Sequence, residues 1–267
     1  MTTTAVALAA SWPAGGQPVV VEADPAGGDL VARYRLELTP GLVTLAAAGR
    51  RSGEDPGLIW QHTQRLPGGL PVVAGPPAPG QARAALTELT DGPARPLLRR
   101  AASRPGVVVI ADCGRVEADS PALEVVRAAD VMLLVAGAQD DALAHLAVMV
   151  RPAAAWSPRP RLVLVGEGYP TAEVTQALGT AELGLEVAAR LPHDPAGAGA
   201  FAGRPAPRAA PGRSRLGQAA AELATRTARD VLTAPPPWRR TQDTEPPREP
   251  VTDSSEFTVP ATYRILR

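Results

Sequence analysis

The chain has no lysine and no asparagine among its 267 residues. Any step that needs an ammonium side chain or an asparagine carboxamide is therefore excluded within it. Cysteine is nearly absent. The single Cys113 rules out an internal disulfide and fits a reducing cytoplasm. Aromatic residues make up only 3%, so alanine, valine and leucine must build the core, for which an apolar fraction of 45% is enough. Net charge is absent too: 27 basic residues balance 27 acidic ones, and bulk charge selects neither nucleic acid nor membrane as partner. No apolar run approaches the roughly 18 residues of a membrane span, and the amino end carries no charged leader. A cytoplasmic location is expected.

What is present centres on Val19 to Leu30, VVVEADPAGGDL. The β-branched run Val19-Val20-Val21 suits a strand buried on both faces, as in a parallel sheet. It turns acidic at Glu22 and Asp24, then breaks at Pro25, Gly27 and Gly28. Acidic groups at the carboxyl end of such a strand stand where open α/β sheets place ligands. A carboxylate there can hold a metal-bound water or orient a water against a phosphate. The same residues also suit an ordinary strand followed by a Pro/Gly turn. A second acidic strand end, Val107 to Gly114, reads VVVIADCG and carries Asp112. Two carboxylates at neighbouring strand ends suit a Mg²⁺-nucleotide site.

Along the chain, short apolar runs alternate with helical stretches. Helices are expected over 2–12, 42–48, 81–89, 96–103, 121–128, 140–151, 171–178 and 213–232, with a short one between Gly27 and Leu36 and a helical turn over 58–65. Strands are expected at Val19, 70–75, 107–110, 131–135, 162–165 and 185–191. This alternation predicts an α/β fold, a mostly parallel sheet flanked by helices. Nearly every strand ends in Gly, Asp or Pro, which lines up the turns along one sheet edge. One α/β domain is expected over 1–232. From 233 to 267 the chain turns rich in proline, charge and Ser/Thr, the composition of a disordered tail. Its last residues, with Phe257, Val259, Tyr263, Ile265 and Leu266, could form a short docking peptide for a protein partner.

The order TTTAVALAA, VVVEADPAGGDL, VVVIADCG, AADVMLLVAG and LPHDP, followed by a long helix, resembles the ParA/MinD group of deviant-Walker P-loop ATPases (SIMIBI class). The resemblance covers about 1–232. It implies ATP and Mg²⁺ as ligands, a homodimer, and a switch that partitions chromosomes or plasmids or localises a cellular machine in a bacterial cell. In that family a glycine-rich phosphate loop ends in Gly-Lys-Thr-Thr. Aligned so, Thr2 matches the Mg²⁺-binding hydroxyl and Thr3 follows it in the loop-to-helix turn, while Met1 falls on the phosphate lysine. Asp24 matches the acid that orients the hydrolytic water. Asp112 matches the Walker B aspartate behind the metal, and Gly114 lies in the second switch. His193 and Asp194 fall in the loop that contacts the base.

The departures are specific. The first strand and the glycines of the phosphate loop are missing, no lysine replaces the lost one, and Gly166-Glu167-Gly168 stands where relatives place an adenine-reading asparagine. Backbone N–H groups of such a loop do most of the phosphate binding. In this fold the missing strand lies inside the sheet, so its loss leaves two neighbours with unpaired backbone groups. The expected explanation is a start further upstream, with a GTG valine codon read as Met1. The rival reading is a degenerate pseudo-ATPase that keeps the fold and dimer surface as an adaptor. A Rossmann enzyme lacks its G-x-G-x-x-G. Arg208, Arg213 and Arg215 cluster where some relatives carry a DNA-binding surface. No basic amphipathic helix offers a membrane anchor. Cys113 reads as a packing residue, His145 as packing or surface, and His62 has no metal-ligand spacing around it.

Overall fold

The computed structural model describes residues 1–52, 55–95, 97–204 and 210–233. Arg208 and the 234–267 tail, on which sequence readings were made, lie outside the described residues.

The valine run does form a strand, β1 (Gln17–Glu22), and Val19 to Glu22 are buried. It follows α1 (Thr2–Ala10) and precedes the short α2 (Leu30–Tyr34). Next come α3 (Leu42–Ser52), α4 (Leu58–Gln61), β2 (Gln64–Arg65), β3 (Pro71–Val73), α5 (Pro79–Thr90) and α6 (Leu97–Ala102). The second acidic run is β4 (Val107–Asp112). The chain continues through α7 (Leu123–Ala128), β5 (Met132–Gly137), α8 (Asp140–Ala154), β6 (Pro160–Val165), α9 (Thr171–Leu178) and β7 (Glu186–Leu191). It ends in α10 (Pro195–Ala200) and the long α11 (Arg215–Thr233).

The strands form two sheets, ordered β2-β3-β1-β4 and β5-β6-β7. All pairings are parallel except β2 with β3. The expected α/β fold of mostly parallel strands flanked by helices is present, with the strands in two sheets and no pairing between β4 and β5 among the described residues. The two acidic strand ends are brought side by side, with Glu22 opposite Asp112 in the β1–β4 register.

One face of both sheets shares a core with α1 and α11, in which Val6, Leu8, Leu216 and Leu223 meet Val20, Ile110, Leu133, Val135 and Val163. The other face of the first sheet packs on α3, α5 and α6 through Val19, Val21, Leu45, Leu86 and Leu97. The other face of the second packs on α8 and α9 through Leu146, Val150, Leu162, Leu164 and Val174.

Two further differences have local causes. The turn expected over 58–65 ends at Gln61, because Gln64 and Arg65 pair antiparallel with Val72 and Pro71. The unexpected α10 is the glycine- and alanine-rich PAGAGA. Glycine disfavours a helix by about 1 kcal/mol each. Here Pro195 sits in the first turn and Asp194 caps it.

Candidate functional site

The carboxyl edge of the first sheet carries Glu22, Asp24 and Asp112, and the three acids have different tasks. Glu22 is buried. Its Oε1 accepts the backbone N–H of Asp29 at 2.6 Å and of Leu30 at 3.0 Å, and its Oε2 accepts that of Gly75 at 2.9 Å. The first N–H groups of a helix have no partner within it. Asp29, at the N-cap of α2, makes no side-chain cap bond, so Glu22 caps this helix from the neighbouring strand. A Cβ on Gly28 would collide with the Glu22 carboxylate and the Gly75 carbonyl, so glycine is required there. Burial pushes the Glu22 carboxyl up to about 6, against the three N–H bonds, with the Asp112 charge adding to the rise.

Asp24 is half-buried, and its Oδ1 accepts the Ala26 N–H at 2.7 Å. Burial raises its pKa against that bond; the Asp112 and Asp29 charges raise it further, and the amino-terminal charge of Met1 opposes them. The amino terminus therefore lies near enough for its charge to act on this carboxylate. Gly114 holds φ of 60°, and a Cβ on it would fall on the Asp24 carboxylate. Asp112 is 4% exposed, and its Oδ2 has no hydrogen-bond partner. Thr2 is buried at the head of α1. Thr3 Oγ1 accepts Arg33 Nη1 at 3.1 Å, and Arg33 Nη2 donates to Asp29 Oδ2 at 2.5 Å. The fold thus sets Gly114 against Asp24, with the Asp112 charge close enough to act on Asp24 and Thr2 and Thr3 in the first turn of α1.

A second group lies at the carboxyl edge of the other sheet. Arg190 donates to the carbonyls of Gly166 (2.9 Å) and Tyr169 (2.5 Å), which holds the Gly166–Tyr169 loop over β7. His193 is exposed, and its Cβ lies 4.0 Å from a Cβ built on Gly166. Asp194 Oδ1 accepts the Gly197 N–H at 2.9 Å and its Oδ2 that of Leu216 at 3.0 Å, and these bonds hold its pKa below the usual carboxylate range. One carboxylate therefore caps both α10 and α11. Asp194→Ala is expected to lose about 1–2 kcal/mol of stability, read as a lower urea midpoint. An unchanged midpoint would mean that the caps contribute nothing.

Shallow grooves along α11, lined by Arg226 and Arg229, adjoin Arg161 and Glu186 at the starts of β6 and β7, the opposite edge from the acids.

No family model matches the chain, and no curated protein matches it in sequence. Solved structures do. The ParA family ATPase of Chlorobium tepidum TLS matches with a TM-score of 0.63 at 16% identity, over 84% of this chain and 92% of that one. The septum site-determining protein MinD of Pyrococcus horikoshii OT3, solved with Mg-ADP, matches with a TM-score of 0.62 at 16% identity, over 85% and 89%. The cell division ATPase MinD of Pyrococcus furiosus matches with a TM-score of 0.60 at 17% identity, over 85% and 92%. The chain has the ParA/MinD fold.

In this ParA/MinD-like chain the residues present fit Mg²⁺ and phosphate in kind. The orphaned, buried Asp112 Oδ2 suits a metal-bound water, and the Thr2 hydroxyl is a hard oxygen of the type Mg²⁺ prefers. The amino end of α1 offers unpaired N–H groups, and Arg33 supplies a cation beside it. No cluster of three His, Cys, Asp or Glu among the described residues is set to cage a metal alone. No helix among them is long and apolar enough to cross a membrane.

Sequence reasoning singled out Asp24 by resemblance, gave Glu22 no role of its own, and did not find Arg33 or Arg190. Arg33 stands four residues after Asp29 on a short helix, a spacing that brings opposite charges together and was the available signal. Arg190 gave none, because its partners are backbone carbonyls. Cys113 is a packing residue beside the α3–α5 core, and burial followed by the Asp112 and Asp24 charges pushes its thiol up to about 12. His62 Nδ1 meets the Thr44 hydroxyl at 2.8 Å, a tie between α3 and α4.

Proposed function

We propose that this protein is a ParA/MinD-type nucleotide switch. It binds ATP with Mg²⁺ at the carboxyl edge of the sheet, dimerises across that face, and hydrolyses slowly in the cytoplasm. The state of the nucleotide then positions a chromosome, a plasmid or a cellular machine.

The observation that carries this reading is the buried Asp112 Oδ2 without a partner, beside Asp24 and the amino end of α1. A buried carboxylate oxygen left unpaired is costly, and such groups persist where a ligand or its water completes them. In the proposed site Mg²⁺ would neutralise charge on the phosphates. Thr2 would offer its hydroxyl to the metal, Asp112 would hold a metal-bound water, and Asp24 would orient and deprotonate the attacking water. Thr3 is held by Arg33, which brings a positive charge to the phosphate side. His193 and the Gly166–Tyr169 loop would flank the base. Asp194, which caps α10 and α11, would bring this loop to the base.

Arg213 and Arg215 are exposed at the start of α11 and are proposed as a weak DNA contact. The adaptor reading keeps two specific supports: the chain has no lysine and no asparagine.

The test is calorimetry with ATP and Mg²⁺. It is run on the 267-residue chain and on one extended by the residues encoded in frame before Met1. Binding in the extended chain, lost with EDTA, supports the switch. No binding in either, with both folded by circular dichroism, establishes the adaptor.

A further inference from the structure

The loop after β6 is fastened at both ends and presents one side chain. Gly166 N donates to Leu191 O at 2.8 Å, and Gly166 O accepts Arg190 Nη1 at 2.9 Å. At the other end Tyr169 N donates to Ala138 O at 3.0 Å, and Tyr169 O accepts Arg190 Nη2 at 2.5 Å. The Tyr169 hydroxyl donates to Asp140 Oδ1 at 2.6 Å. The loop is therefore tied to the chain that leaves β5 and to β7, the two neighbours of β6 in its sheet. Gly168 holds φ of 149°, and a Cβ on it would fall on the Ala138 carbonyl, so the backbone passes where only glycine fits. Glu167 stands between the two glycines. It is exposed, and among the described residues its carboxylate has no hydrogen-bond or ion-pair partner.

A carboxylate on a fastened backbone is a selective acceptor, because it takes hydrogen bonds and gives none. No carboxamide stands beside it: the loop reads Gly166-Glu167-Gly168-Tyr169 and the adjoining turn Pro192-His193-Asp194-Pro195. Purine edges differ in what they offer such a group. Guanine carries two neighbouring donors, N1–H and the N2 amino group, which match the two oxygens of one carboxylate. Adenine carries one, the N6 amino group, beside the acceptor N1, and two acceptors facing each other repel. The group that suits adenine is a carboxamide, which accepts from N6 and donates to a ring nitrogen.

We propose that Glu167 sets the base preference of this site and admits guanine nucleotides alongside ATP, by accepting N1–H and the N2 amino group of guanine. The inference rests on the nucleotide-switch reading and names a second substrate class for that site. His193 adjoins the same loop, its Cβ 4.0 Å from one built on Gly166. The loop is held by backbone groups, Arg190 and Tyr169, so Glu167 is free for a ligand and its replacement leaves the fold intact.

The test is calorimetry with Mg²⁺ and ATP, GTP or ITP, on the two chain lengths named above, each as the parent and as Glu167→Gln. ITP keeps N1–H and lacks the N2 amino group. The parent is expected to bind GTP within about threefold of ATP or more tightly, and ITP about tenfold more weakly than GTP. Glu167→Gln keeps the length of the side chain and turns one acceptor into a donor. It is expected to weaken GTP by about tenfold or more and to leave ATP unchanged or tighter. A role in holding the loop alone would move both nucleotides together, so equal changes for GTP and ATP would overturn the inference. ATP binding without GTP binding in the parent would also overturn it, as would a GTP affinity that Glu167→Gln leaves unchanged; in each of these cases the nucleotide switch stands. No binding of any of the three to either folded chain would overturn the switch and this inference together.

Discussion

Replacing Glu22 by alanine is expected to destabilise the protein by about 4 kcal/mol. The carboxylate holds three backbone N–H groups, from Asp29, Leu30 and Gly75. Each left unpaired in the interior costs about 1–3 kcal/mol. Burial of the charge works the other way, since it pushes the carboxyl up to about 6 in spite of those three bonds. The balance is a large share of a typical stability of about 5–15 kcal/mol. The pH dependence follows in sign. The folded chain holds this proton more tightly than the unfolded one, so folding takes up a proton between about pH 4.5 and 6. Glu22 therefore makes the protein more stable at pH 4.5 than at pH 7, and that gain is lost as pH rises through 6. Urea unfolding at pH 7 and pH 5 measures both effects. Glu22→Gln is expected to flatten the difference relative to the parent chain. A Glu22→Ala loss below about 1 kcal/mol would mean that water reaches the three N–H groups and that Glu22 does not cap α2.

The strands were legible because each is a β-branched or leucine-rich run closed by Asp, Gly or Pro. β1, β4, β5 and β6 fall within about two residues of the expectation. β2 was not legible, since Gln64 and Arg65 become a strand only by pairing with β3. α10 was not legible either. Its glycines argue against a helix, and the carboxylate that starts it is shared with α11, an element about twenty residues further on. The division of labour among acids shows the same limit. Glu22 and Asp24 look alike in VVVEADP, but the strand register directs Glu22 inward toward α2 and Gly75 and leaves Asp24 half-exposed against Gly114. The sequence reading expected a missing strand to leave two neighbours unpaired.

Asp24→Asn is expected to lower ATP turnover by about 10²–10⁴-fold in the chain extended before Met1, with ATP affinity within about threefold of the parent. This substitution separates shape from proton transfer. Asparagine keeps an oxygen for the Ala26 N–H, so the turn over Pro25 and Gly27 is preserved. It also keeps the volume against Gly114, where a larger group would collide. What it loses is basicity. The Asp24 carboxylate has its pKa raised by burial and by the neighbouring Asp112 and Asp29 charges. That brings it closer to the working pH and makes it a better acceptor for a proton from the attacking water. Asp112→Asn tests the other role. An amide at the orphaned Oδ2 position holds a metal-bound water less well, so the Mg²⁺ concentration needed for half-maximal binding is expected to rise about tenfold. The two carboxylates are therefore distinguished by readout: turnover for Asp24, and metal dependence of binding for Asp112. If both variants lost binding equally, the acids would serve to hold the edge of the sheet together, and the adaptor reading would follow. If Asp24→Asn alone left turnover unchanged, the water would be activated by another group, and Asp24 would be reduced to its contact with Gly114.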